Sequence, residues 1–161
     1  MDIREKTDEH HDYAVSLVWI GASHGPTSSY QRYSREFEYR AGDKLPQRGS
    51  ADPHFRGDSS LYNPEEQLVA ALSSCHMLSY LAECARAGVE VVAYEDSATG
   101  VMTVRGGKLR FTSVVLRPRV IVARGADAAK ATALHHRAHE DCYIANSVSF
   151  PVTHEPVVTA Y

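Results

Sequence analysis

Residues 63–88 have the composition of one long helix with no polar face. Asn63 is a good N-cap, Pro64 suits the first helical position, and Glu66 stands where a capping box wants a carboxylate. Gly88 is a favoured residue just past a helix end, so the spacing predicts a helix over 64–87. What lies between is apolar on nearly every side, which puts the helix at the centre of the fold rather than on its surface. A cysteine three turns into such a helix is usually a small hydrophobe. Here it stands in Ser73-Ser74-Cys75-His76, polar company that a dry core would not choose. A second cysteine, Cys142, lies in another polar stretch, His139-Glu140-Asp141-Cys142-Tyr143-Ile144-Ala145-Asn146-Ser147.

The rest of the chain alternates between strand and helix patterns. Residues 13–20 read as a strand with Val15, Leu17 and Trp19 on one face, and 30–39 as a half-buried antiparallel strand. Residues 46–62, rich in Gly, Pro, Ser and Asp, read as a long loop, and loops of that length are often functional. Residues 89–102 are extended. Residues 108–123 form a long β segment that Pro118 interrupts, which predicts a bulge or an edge. A second, Ala-rich helix is expected over 126–140, with Asp127 near its start, and a closing strand over 151–161, where Pro156 again hints at an edge. The order ββαββαβ is α+β.

At 161 residues the chain fits one domain, expected over 13–161 after a loose arm at 1–12. A net charge of −3 gives no reason to expect nucleic acid or an anionic membrane as partner. No apolar run approaches 18 residues and the charged N-terminus lacks a signal peptide's apolar stretch, so no membrane span is expected. Three cysteines make a poor disulfide framework. A reducing cytoplasm is the natural compartment, where paired cysteines are more often catalytic or metal-binding than structural.

Asn63-Pro64-Glu65-Glu66-x-Leu68, a small-residue run ending in Cys75, and a distant Cys142 together resemble the OsmC/Ohr family of thiol peroxidases. The resemblance runs from about residue 19 to 161. It implies two long helices packed on strongly curved antiparallel sheets in an intertwined homodimer. It also implies reduction of organic hydroperoxides without metal, haem or flavin, and a small dithiol of the lipoyl type, or a general thiol, as reductant.

In that chemistry a thiolate attacks the distal peroxide oxygen, releases an alcohol and becomes a sulfenic acid. The resemblance gives this role to Cys75 and makes Cys142 the resolving residue that closes a disulfide. Cys84 lies two and a half turns beyond Cys75, about 13 Å along the axis, too far to pair with it, and is expected in the core. Glu65 matches the family glutamate, the partner of an active-site arginine. Ten helical residues span about 15 Å, so Glu65 reaches a Cys75 only in a second subunit or if the helix breaks. Arg56, in the loop before the helix, is the first choice for the arginine that orients and activates, and Arg35 the second. His76 departs from the family pattern and, if protonated, would favour a neighbouring thiolate.

Two other functions remain open. His136-x-x-His139-x-x-Cys142, joined by Cys75 or His76, could bind zinc in a structural or sensor protein, although steps of three drift around the helix. The plainer expectation puts His135, His136 and His139 on a wet helix face and leaves His154 without a partner. Tyr30, Tyr33, Phe55, Tyr62 and Tyr80 could wall a pocket for an alkyl or fatty-acid hydroperoxide, or simply be core, and an apolar interface cavity could instead hold a hydrophobic ligand without catalysis.

Overall fold

The computed structural model describes residues 10–161. Most of the expected arm lies outside these residues, and the part within them, His10 to Asp12, is exposed and without regular structure. The chain divides into two compact units, one ending at Glu65 and the other running from Glu66 to Tyr161.

In the first unit, β1 (Ser16–Trp19), β2 (Phe37–Arg40) and β3 (Gln47–Gly49) form an antiparallel sheet in chain order. Its register sets Trp19 opposite Phe37, and Phe37 opposite Gly49. The strand expected over 30–39 shrinks to its last residues. Of the alternating aromatics that suggested it, Phe37 and Tyr39 lie in β2, while Tyr33 stays outside: the Arg35 guanidinium lies 3.8 Å from the Tyr33 ring centre and donates to the Tyr33 carbonyl at 2.6 Å. The expected long loop is also more structured than its composition suggested. It holds β3 and a 3-10 turn, Pro53–Phe55, which Asp52 caps by accepting from the His54 amide at 2.7 Å. Arg56 ends that turn in the left-handed region, at φ 67°. Gly57 follows so close to the Ala51 carbonyl that any Cβ would collide with it.

Helix α1 (Pro64–Arg86) follows its predicted bounds to within a residue. By length and composition it is apolar enough to cross a membrane, contrary to the expectation from the sequence. Several of its apolar residues pack into protein clusters, while Leu78 is exposed. In the second unit, Leu68, Val69 and Leu72 pack with Val114, Leu116, Val152 and Phe150. Further along, Tyr80 and Cys84 join Val120, Val122, Ala131, Leu134 and Ala138. One helix therefore serves two clusters.

Those clusters rest on two three-stranded sheets. One has the order β4 (Val91–Asp96), β7 (Pro118–Val122), β9 (Val157–Ala160); the other has β5 (Thr99–Arg105), β6 (Lys108–Leu116), β8 (Val152–His154). The 108–123 segment is two strands rather than one. A break at Arg117 passes the chain from one sheet to the other, and Pro118 opens a central strand instead of marking an edge. The first residue of a strand is a position a proline tolerates. The closing segment breaks in the same way at Glu155 and Pro156. Both resulting strands are edges, as expected, but they pair parallel, β8 with β6 and β9 with β7, while the other ladders are antiparallel. Register shifts near Val91 and Val101 add bulges to the antiparallel ladders.

Helix α2 (Ala128–Glu140) is capped by Asp127, whose carboxylate accepts from the Lys130 amide at 2.9 Å. Glu83, 4% exposed on α1, takes Arg137 of α2 at 3.2 Å and Arg86 at 2.6 Å. A buried carboxylate needs such pairing, and the bridge ties the two helices together.

Candidate active site

Cys75 is half-buried in the middle of α1, and Cys142 is buried just past the end of α2. The Cys142 thiol stands near enough to the Cys75 thiol for that neighbour to affect its ionisation, and both cysteines are free. Cys142 is held by its own turn. Its amide donates to the His139 carbonyl at 3.3 Å and its carbonyl accepts from the Asn146 amide at 3.0 Å. The Asn146 side chain donates to the Glu140 carbonyl at 2.8 Å. Burial pushes the Cys142 thiol above the ordinary range, while the N–H groups of Ala145 and Ile144, aimed at the sulfur, pull it the other way. Cys84 is 1% exposed within the apolar cluster, as expected of a core residue, and burial raises its thiol.

The polar residues around Cys75 each have a partner. Ser73 donates to the Asp96 carboxylate at 2.5 Å, and that carboxylate also accepts the Arg117 amide at 2.6 Å. Ser74 is exposed and bonds back to the Ala70 carbonyl at 2.8 Å. The His76 Nε2 lies 3.0 Å from His135 Nδ1 on α2. Burial pulls His76 down to about 4, with His154 and His139 adding to the effect, so its ring is neutral at pH 7. It is therefore not the protonated neighbour that would draw out a thiolate.

The histidines of α2 do not share one wet face. His135 is fully buried, with Tyr80 stacked on it at 3.7 Å and 8°. His136 is exposed beside Glu140 at 3.4 Å. His139 is half-buried, 5.5 Å from His154 of β8, which in turn lies 5.4 Å from His76. His135 and His154 are the site residues the sequence did not single out. Among the described residues no three His, Cys, Asp or Glu side chains are placed to hold a metal ion. The anticipated His136, His139 and Cys142 set fails because successive steps of three rotate away from one another. Cys142 moreover lies beyond the helix end.

The first unit holds the two arginines. Arg56 is exposed at the end of its 3-10 turn. Arg35 is engaged with Tyr33 and Tyr30. Glu65, in the first turn of α1, has a buried carboxylate oxygen, Oε2, without a hydrogen-bond partner among the described residues. The aromatics named for a ligand cavity scatter: Tyr80 is core, while Tyr62 and Phe55 are exposed. A depression of about 340 Å³ on the β4–β7–β9 sheet is lined by Tyr94, Arg119, Ile121, Val157 and neighbours, and by neither cysteine of the pair.

Comparison with known proteins gives this arrangement a family. The sequence profile of the OsmC-like protein family matches residues 57–156. An OsmC-like protein of unknown function from Vibrio cholerae is 33% identical, with a TM-score of 0.85 over 92% of this chain and 100% of that one. An organic hydroperoxide resistance protein from Elizabethkingia anophelis shares the fold at 14% identity, with a TM-score of 0.69 over 96% of this chain and 100% of the other. The uncharacterized protein YmaD of Bacillus subtilis is 27% identical over 89 residues, a match that spans 53% of this chain and 59% of that relative. With most of its length matched by the family profile, and a relative at 33% identity along nearly all of it, the chain belongs to the OsmC-like protein family.

Proposed function

We propose that this protein is a cysteine-based peroxidase that reduces organic hydroperoxides to alcohols. The observation that carries the reading is that Cys142 adjoins Cys75, with neither engaged in a disulfide. A dithiol with one member half-buried at the middle of α1 and the other buried just past the end of α2 suits a peroxidatic and a resolving thiol. Cys75 attacks the peroxide and becomes a sulfenic acid as the alcohol leaves. Cys142 then condenses with it, water is released, and a disulfide forms. A small dithiol of the lipoyl type, or a general thiol in a reducing cytoplasm, returns the pair to the thiol state.

On this reading Arg56 and Glu65 complete the site, with Arg35 as the alternative arginine. Because α1 is unbroken from Pro64 to Arg86, Glu65 stands about 15 Å along the axis from its own Cys75. The reading therefore takes Glu65 to act in the site of a second copy, within a homodimer.

The test is thiol mapping by mass spectrometry of the reduced protein, before and after one equivalent of cumene hydroperoxide. A new Cys75–Cys142 disulfide with Cys84 still free is the expected result. Unchanged thiols, or oxidation spread evenly over the three cysteines, overturn the reading.

A further inference from the structure

Two buried imidazoles join the helices that carry the paired thiols. His76 directly follows Cys75 on α1. His135 lies on α2, two helical turns ahead of Cys142. Their rings are nearly coplanar, 9° apart with centroids at 5.3 Å, so the 3.0 Å approach of Nε2 to Nδ1 lies along the edge of both rings. That is hydrogen-bond geometry: one ring donates its N–H to the lone pair of the other, and both rings are neutral. Both residues are fully buried. The contact is sandwiched. Tyr80 of α1 covers the face of His135, and His154 of β8 lies 5.4 Å from His76 and 6.0 Å from His135. Among the described residues, the carboxylate that acts on His76 is that of Asp96 of β4, already engaged by Ser73 and the Arg117 amide.

We propose that His76 and His135 are positioning residues for disulfide formation, their mutual hydrogen bond fixing the end of α2, and with it Cys142, against Cys75. The proposal rests on the dithiol reading above but does not need a peroxide to be tested. Removing either ring leaves the other's nitrogen buried without a partner, a cost relieved most readily by movement of α2. Such movement carries the turn at 141–147, whose amides and carbonyls are tied to the last residues of the helix. The Glu83–Arg137 bridge joins the same two helices through long side chains exposed at the arginine end, and fixes the thiols less tightly.

The experiment equilibrates the full-length protein with glutathione disulfide and glutathione at pH 7. The reaction is protein dithiol plus glutathione disulfide giving protein disulfide plus two glutathiones, and the Cys75–Cys142 disulfide is quantified by mass. His76→Leu and His135→Leu are each expected to lower the equilibrium constant by about tenfold. The double variant His76→Gln with His135→Asn puts side-chain amides where Nε2 and Nδ1 now meet, and is expected to recover most of that loss. Arg137→Gln is expected to lower the melting temperature and leave the constant unchanged, which separates positioning from general loosening. Equal constants for wild type and both leucine variants overturn the proposal. So does a wild type that forms no Cys75–Cys142 disulfide at any glutathione ratio. If that disulfide forms with glutathione but not with cumene hydroperoxide, the peroxidase reading fails and the positioning role stands.

Discussion

Cys142 meets both the Cys75 thiol and the backbone N–H groups of Ala145 and Ile144. The amides favour a sulfur that carries negative charge, which is what Cys142 becomes when a reductant attacks Cys75 of the disulfide. Cys142→Ser removes that leaving group and the resolving thiol together. Quenched-flow with cumene hydroperoxide should show one burst, one peroxide per chain, and then a stall. Dimedone should trap the Cys75 sulfenic acid, and excess peroxide should drive it to the sulfinic acid. Sustained turnover by this variant would remove Cys142 from the cycle.

Cys84 gives the opposite pattern. It is buried among Tyr80, Val120, Val122 and Leu134, and the Tyr80 hydroxyl is its polar neighbour. Cys84→Ser places a hydroxyl in that cluster and should cost about 1–3 kcal/mol in urea unfolding. Cys84→Ala should cost less, and both variants should form the Cys75–Cys142 disulfide normally. A loss of disulfide formation without a loss of stability would give Cys84 a redox role.

Asp96 joins the turn of α1 that carries Ser73 to the start of β7 through the Arg117 amide. Asp96→Ala leaves a half-buried hydroxyl and an amide without their acceptor. Hydrogen bonds to charged groups contribute about 1.5–3 kcal/mol, and a loss of that order is expected in chemical denaturation. The loss should shrink when Ser73→Ala is added, because the two residues share one bond.

Helix α1 was legible because its cap, its apolar run and its closing glycine are all local signals in adjacent residues. The sheet handovers were not. Arg117 and the Glu155-Pro156 pair each interrupt what reads as one β segment, and whether a short break changes sheets depends on partners far away in the chain. The pairing of Cys75 with Cys142 came from the family resemblance. The sequence alone showed two cysteines in polar surroundings, and the structure finds structural partners for most of those polar groups. His135 and His136 are neighbours with opposite fates because successive residues turn about 100° around a helix. Which one faces the core follows from the phase of α2 against α1, and a short Ala-rich helix states that phase weakly. Arg35 shows a partial case: the alternation around it is real and its second half, Phe37 and Tyr39, does lie in β2, but Tyr33 is held with Tyr30 against the Arg35 guanidinium instead of in the strand.

The buried histidines also set an acid limit on the fold. Burial holds His76 at about 4 and His135 at about 3, and the neighbouring His154 is lowered as well. In the unfolded chain each returns to about 6.5. Between those values the unfolded chain binds more protons than the folded one, so stability rises with pH across that window. It is fully present above about pH 6.5 and is lost progressively as the pH falls toward 4. Asp96 opposes the trend at His76, but it acts more weakly than burial and the two histidines that lower the ring. Thermal melts should show a midpoint that is flat from pH 8 to 7 and falls steadily below pH 6.5. The His76→Gln, His135→Asn double variant, which cannot take up these protons, should show a shallower decline over the same range. Equal slopes for the two proteins would mean that other groups, and not this imidazole pair, govern the acid sensitivity.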